Sequence, residues 1–209
     1  GAIAIGYEAL KGNATNSTGI DGTVAIGKQA LYALTTGGGN MAVGNLALNS
    51  LTTGTGNTAL GNKSLENCAT SGADVGHNNT CVGSQSGTNI THGTGNTCIG
   101  ETCGAVYTHA DANIIIGANT NGSGATVGYE MAFGYGLTAG GTETVRIGRA
   151  SDYITCDFGE NATWAHSSDE RIKKDISDSG LGLDFIKDLR PVTFKKKAPS
   201  EYPEEFDQH

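Results

Sequence analysis

The chain has 209 residues, of which 33 are glycine and three are proline, and its formal net charge is −8. Glycine at this level without proline excludes collagen, and apolar residues that recur throughout the chain argue against a plain linker. The negative charge argues against a nucleic-acid partner, and the absence of any long apolar run argues against membrane insertion.

A repeat begins at the first residues and occupies most of the chain. Each unit ends in a small residue, a bulky apolar residue and a glycine, and most of these glycines are 17 residues apart, with two insertions and one contraction. Strands this short must stack on one another, about 4.8 Å apart, to be stable. We therefore predict an all-β fold, a β-helix or β-roll shaft over residues 1–150. The nine glycines are Gly6, Gly27, Gly44, Gly61, Gly83, Gly100, Gly117, Gly134 and Gly148.

Other positions of the unit suggest how each coil is filled. Because neighbouring strand residues face opposite ways, we expect the bulky residue to point into one core and the small one to face a second packed surface. Alanine and leucine follow the glycine by three and four places, as in Ala30 and Leu31, and are predicted to form the next inward side. This leucine fades after about residue 86, so the later coils should pack differently.

An asparagine precedes the glycine by four places in five units. Stacked coils would bring these side chains into one column, and we predict a structural ladder in which each amide is hydrogen-bonded to the next. The ladder residues are Asn40, Asn57, Asn79, Asn96 and Asn113.

One such coil buries little apolar area against an ordering entropy of about 1–2 kcal/mol per residue, so we expect copies of the chain to associate. Fibrous β-structures of this composition are commonly trimers, which favours a homotrimer. The Ala-Ile-Gly units resemble the β-roll heads of bacterial trimeric autotransporter adhesins and the shafts of bacteriophage tail fibres. This resemblance implies a trimeric β-solenoid. Separate coils packed side by side and three interwoven chains both remain open, and a 17-residue unit, long enough for three short sides, favours separate coils.

The cysteines are spaced like core residues. Cys81 and Cys98 lie one repeat apart, Cys103 follows five residues later, and there is no Cys-x-x-Cys pair. This spacing favours free thiols that replace alanine in the core over a metal site or a disulfide. His77, His92 and His109 fall between coils, where solvated loop histidines are favoured over an ion site near a trimer axis. We predict no metal and no cofactor.

The composition changes near residues 164–168. Residues 165–209 hold 8 Lys and Arg and 10 Asp and Glu, whereas 31 of the 33 glycines come earlier. The run from Ser167 to Ile176, with the Arg190-Pro191-Val192 segment after it, resembles the start of the intramolecular chaperone domain of the endosialidase type, which ends many phage tail spikes and fibres. The spacing of Leu181, Phe185, Ile186 and Leu189 predicts an amphipathic helix. Residues 151–168 would be the shaft tip and cleavage junction, and residues 169–209 a truncated chaperone with a short helical start.

The resemblance also implies self-cleavage at the bond between Ser168 and Asp169. Ser168 matches the serine of that family, and Lys173 matches its proposed lysine partner, which can act as a base only if burial keeps its amine neutral. Attack on the carbonyl before Ser168 is a chemical alternative, and His166 is an alternative base.

These observations predict a structural and adhesive part of a viral tail fibre or tail spike. It would be a virion component assembled in the host cytoplasm, and it would contact a host-surface receptor, either a glycan or a surface protein. The chaperone would drive trimerisation and then be removed. The alternatives are the head of a bacterial trimeric surface adhesin and a non-phage protein with the same domain. The scattered acidic residues of the shaft give no paired carboxylates, so we expect no activity on other substrates.

Overall fold

The computed structural model describes residues 1–12, 19–68 and 76–159, and the backbone of residues 164–166. These residues belong to one compact unit, Gly1–Ser168. They form eleven strands in a single sheet. The described residues contain no helix, so there is none among them that could cross a membrane. The predicted all-β fold is confirmed.

The sheet follows the order of the chain, and each strand pairs with the next. Strands β1 to β9 are parallel, and β2 pairs with β3 so that Ala25 lies beside Ala42. All pairing is within one chain, so the chain coils on itself as a β-solenoid. The nine predicted units correspond to β1 (Ile3–Ile5), β2 (Val24–Ile26), β3 (Met41–Val43), β4 (Thr58–Leu60), β5 (Thr80–Val82), β6 (Thr97–Ile99), β7 (Ile114–Ile116), β8 (Met131–Tyr135) and β9 (Thr144–Arg149).

The orientation of the strand side chains is the reverse of our prediction. The second residues of β2 to β8, which are small except for Ile115, are fully buried inside the coil. The bulky residues before glycine lie on the outer face, with 58% of Ile5 and 37% of Leu60 exposed. Leucines from the other sides already fill the interior, which leaves room only for small side chains. We call the outer row the apolar stripe: Ile5, Ile26, Val43, Leu60, Val82, Ile99, Ile116 and Phe133.

The second inward side lies where the sequence predicts it. Ala30 and Leu31 are fully buried, but Leu31 has a φ of 51°, in the left-handed region that costs a non-glycine residue energy. Gly87 takes the same place in a later coil with a φ of 60°. The leucine is therefore exchanged for a residue that suits this backbone, and larger neighbours such as Ile90 and Tyr107 are buried in the later coils. The prediction that the packing changes after residue 86 is confirmed.

Glycine ends the strands for a steric reason. Gly27 has a φ of 132°, and a Cβ atom there would collide with the backbone carbonyl of Gly44 in the next coil. The close approach of successive coils at this corner, together with the positive φ, excludes other residues.

A column of buried asparagines runs along the shaft beside the strands. The side-chain amide of Asn79 donates to Asn57 Oδ1 at 3.2 Å and to the Gly93 carbonyl at 2.8 Å. Its own Oδ1 accepts the backbone N–H and the side-chain amide of Asn96, both at 3.0 Å. All four hydrogen bonds available to this amide are therefore made inside the protein. The same amide-to-amide bonds link Asn40 to Asn57 and Asn96 to Asn113.

We expect Asn79→Asp to destabilise the shaft. The carboxylate has the shape of the amide but cannot donate, so Asn57 Oδ1 loses a donor and the Gly93 carbonyl is left unpaired. Buried unpaired groups cost about 1–3 kcal/mol each, which corresponds to a decrease of at least about 4 °C in melting temperature. Thermal denaturation followed by circular dichroism measures it. The matched control is Asn45→Asp, at an exposed asparagine, which should change the melting temperature little. Equal decreases in the two variants would contradict a stabilising ladder.

Candidate functional site

The residues predicted for cleavage, Ser168, Asp169 and Lys173, lie outside the described residues, as does the predicted amphipathic helix from Leu181. The nearest described element is β11 (Trp164–His166), of which the backbone alone is described. It pairs antiparallel with β10 (Asp152–Asp157) and ends two residues before Ser168. In the sequence, the cleavage residues begin two positions after the last described strand, and their roles remain predictions.

The strands that lead to this junction differ from the rest of the sheet. Strand β10 runs antiparallel to both β9 and β11, so the coil stops after β9 and the sheet continues as a meander. On the outer face of these strands Ile147 and Ile154 are paired, with 43% and 38% of their surfaces exposed. The apolar stripe therefore extends past the last coil.

An arginine closes the inside of the last coil. Arg146 is paired with Ala132 and so enters the column that small residues occupy in the coils before it. Its guanidinium Nη1 donates to the carbonyls of Thr138 and Ala139 at 3.0 and 3.2 Å, and it lies 4.4 Å from the ring centre of Tyr153. A charged group at this place satisfies backbone acceptors at the end of the coil while its stem covers the core.

A buried carboxylate ends the asparagine column. Glu130 follows Asn113 by one repeat, and its backbone N–H donates to Asn113 Oδ1 at 2.8 Å. The carboxylate accepts the Tyr107 hydroxyl at 2.9 Å and the backbone N–H groups of Ser123 and Gly141. Burial, and then the charge of Glu130, raises the pKa of Tyr107 far above its ordinary value. Sequence analysis missed both Glu130 and Arg146, although each stands at a repeat position where the other coils have asparagine or a small residue.

The cysteines are free thiols in the interior, as the spacing predicts. Cys81 and Cys98 lie in the column of small strand residues, beside each other on neighbouring strands. The thiol of Cys103 donates to the Ile115 carbonyl at 3.1 Å, and Ser86 makes the equivalent bond to Cys98 at 2.8 Å one coil earlier. The neighbouring Cys98 thiol and then burial raise the pKa of Cys103 well above its usual value, which makes it a poor nucleophile.

Two of the three histidines are stacked. The rings of His92 and His109 lie 4.5 Å apart with an angle of 8° between them. His77 Nδ1 accepts the backbone N–H of Thr55 at 3.0 Å. Among the described residues no three histidine, cysteine or acidic side chains are grouped so that they could hold a metal ion. All three lie outside the strands, and His109 is exposed, as predicted for loop histidines, although His92 and His109 also stack on each other.

Comparison with known protein families matches residues 168–209 to the family described as chaperone of endosialidase. The match begins at Ser168, the serine identified in the sequence, and continues to the last residue. No curated protein and no solved structure matches the chain. The chain thus combines a β-solenoid with a following segment that is similar to an intramolecular chaperone.

The buried thiols give a pH dependence that can be measured. Because the pKa of Cys103 is raised in the folded chain, the folded protein keeps a proton that the unfolded chain releases above about pH 8.5. Its contribution to stability is complete below that pH and is lost as the pH rises. The free energy of unfolding should decrease between pH 8 and pH 10. In Cys103→Ser, which places serine where the coil before it has Ser86, we expect this decrease to be smaller by on the order of 1–2 kcal/mol. Denaturant unfolding at both pH values tests this. An unchanged fall would show that another group titrates.

Proposed function

We propose that the chain is part of a viral tail fibre or tail spike, a trimeric rod whose chaperone segment directs assembly and is then removed by self-cleavage at Ser168. One observation carries the proposal: the similarity to the endosialidase chaperone begins at Ser168, two residues after the last strand of a β-solenoid. A rod that ends where a chaperone-like segment starts is the arrangement that assembly followed by release requires.

The repetitive shaft explains why such a rod needs a chaperone. Successive coils present nearly the same side chains at each level, as Ala25, Ala42 and Ala59 do in the interior. Three chains shifted by one coil would therefore keep most of their contacts, and a parallel assembly with distant contacts also forms slowly. A segment outside the repeat that trimerises first would fix the register before the shafts pack against one another.

Removal of the segment would make the assembly permanent. The neutral amine of Lys173 would take the proton of the Ser168 hydroxyl and so activate it as the nucleophile. Because attack on the carbonyl of its own residue would need a four-membered ring, this oxygen would attack the Ser168 carbonyl carbon of a neighbouring chain in the trimer. The amine of Asp169 then leaves with the proton that Lys173 carries, and water hydrolyses the resulting ester to a Ser168 carboxylate and the free serine hydroxyl. Once the chaperone has left, a rod that unfolds can no longer re-register, so its persistence depends on a slow unfolding rate.

The rest of the function is structural and adhesive. The described residues form one sheet of stacked coils with buried columns of side chains, a form suited to a spacer that presents loops to a surface. The partner is a receptor on the host surface, a glycan or a surface protein, and the location is the virion, assembled in the host cytoplasm.

The cleavage is tested by denaturing mass spectrometry of the full-length gene product. We expect the unmodified protein to give a shaft chain that ends at Ser168, and Ser168→Ala to stay intact, because alanine has no nucleophile. Lys173→Ala should also stay intact.

Ser167→Ala and Lys174→Ala are the matched controls, and both should still be cleaved. A product that ends at Ser167 would identify attack on the preceding carbonyl. An unmodified protein that is never cleaved would contradict the proposal and leave the segment as a permanent tip.

A further inference from the structure

One row of side chains on the outer face of the parallel sheet, the apolar stripe, is apolar in every coil from β1 to β8. In every coil from β1 to β8 the third strand residue, which forms the apolar stripe, is Ile, Val, Leu or Phe. The stripe is about 34 Å long at the spacing of strands, and with the first strand residues beside it the face is about 10 Å wide. A projected area of roughly 340 Å² lies in the range of the largest apolar patches that monomeric proteins leave exposed.

The electrostatics of this face favour contact with a second copy of the chain. The chain carries a net charge of −8, yet the first and third residues of strands β1 to β8 include no charged side chain and are interrupted only by Thr58, Thr80 and Thr97. Two copies that met through this face would bury apolar surface without bringing like charges together. Elsewhere on the shaft, acidic residues such as Glu101 and Asp111 would repel their equivalents.

The regular spacing of the face points to the same occupant. The stripe has one apolar side chain at each strand spacing. A second row with the same spacing could contact it along its whole length. A second copy of this chain carries such a row by definition. The row also continues through Ile147 and Ile154, so the matching surface includes the strands nearest the junction.

We infer that the apolar stripe is the contact between copies of this chain, which lie side by side and in parallel with their stripes facing a common axis. The inference rests on the proposed trimeric function, because three copies joined at one end by a chaperone must run in parallel. The inference goes beyond that function because it identifies the surface through which the shafts contact one another. Packed in this way, three separate coils share one outer core, and each coil keeps its own interior of small residues.

Cysteine cross-linking of the full-length protein tests the contact. Leu60→Cys introduces a thiol on the stripe, and Lys63→Cys introduces one three residues later, at a site that lies on another side of the coil. The five native cysteines provide no background, because the folded chain buries them. Under mild oxidation we expect covalently linked chains from Leu60→Cys, since in-register copies place the two new thiols together, and none from Lys63→Cys.

Native mass spectrometry of the same samples separates the two ideas. Trimers in which Lys63→Cys cross-links and Leu60→Cys does not would overturn the stripe as the contact and leave the proposed function standing. A monomer would contradict both the stripe contact and the proposed trimeric function.

As a second variant, Ile99→Asp places a charge on the stripe, outside the coil interior. It should weaken association at least tenfold, while the melting curve of the separated coil is retained. An Ile99→Asp protein that assembles as well as the unmodified one would overturn the inference.

Discussion

The structure depends on the exact stacking of parallel coils in register. Each side chain lies one strand spacing from its equivalents above and below, so a residue type is suitable only if it packs well against itself. Asparagine meets this condition because one amide can both donate to and accept from the next, as Asn57 and Asn79 do. Small hydroxyl or thiol residues meet it differently: Ser64 and Ser86 each donate to a strand carbonyl of the next coil, at 3.0 and 2.8 Å.

The requirement that each residue pack against its own equivalents also determines how much of the fold could be predicted from the sequence. The 17-residue spacing of the glycines located every parallel strand, and the recurring asparagines identified their column. The spacing could not show which face of a strand is inside, because alternation treats both faces alike, and the bulky residues were placed on the wrong side. The left-handed backbone at Leu31 and Leu48 was also unpredictable, because leucine rarely adopts it and only the closure of the coil imposes it.

The same regularity that stabilises the shaft leaves its assembly poorly specified. A column of alanines or of asparagines is satisfied by any coil of its kind, so neither fixes which level of one chain meets which level of another. The two longer intervals, 21 residues from Gly6 to Gly27 and 22 residues from Gly61 to Gly83, interrupt the 17-residue period and are among the few features that distinguish one level from the next. A repeat of this kind gains stability from uniform contacts, and if copies assemble as proposed, their register would have to be set outside the repeat. The change in composition near Ser168 and the similarity that begins there are consistent with such a division of work.

At the end of the shaft the interior columns and the outer apolar stripe differ. Both interior columns end on charged residues near the last coil, the small-residue column at Arg146 and the asparagine column at Glu130, and each charge is held by backbone groups of its own chain. Both charges are therefore matched within the chain, and β9 still stacks on β8 with Thr144 buried at the next place after Glu130. The outer stripe does not end there, since Ile147 and Ile154 carry it past the last coil. Both residues belong to the same sheet as the coils, and more than a third of each side chain is exposed. The proposed packing between copies would cover this surface, which the interior of one coil does not use.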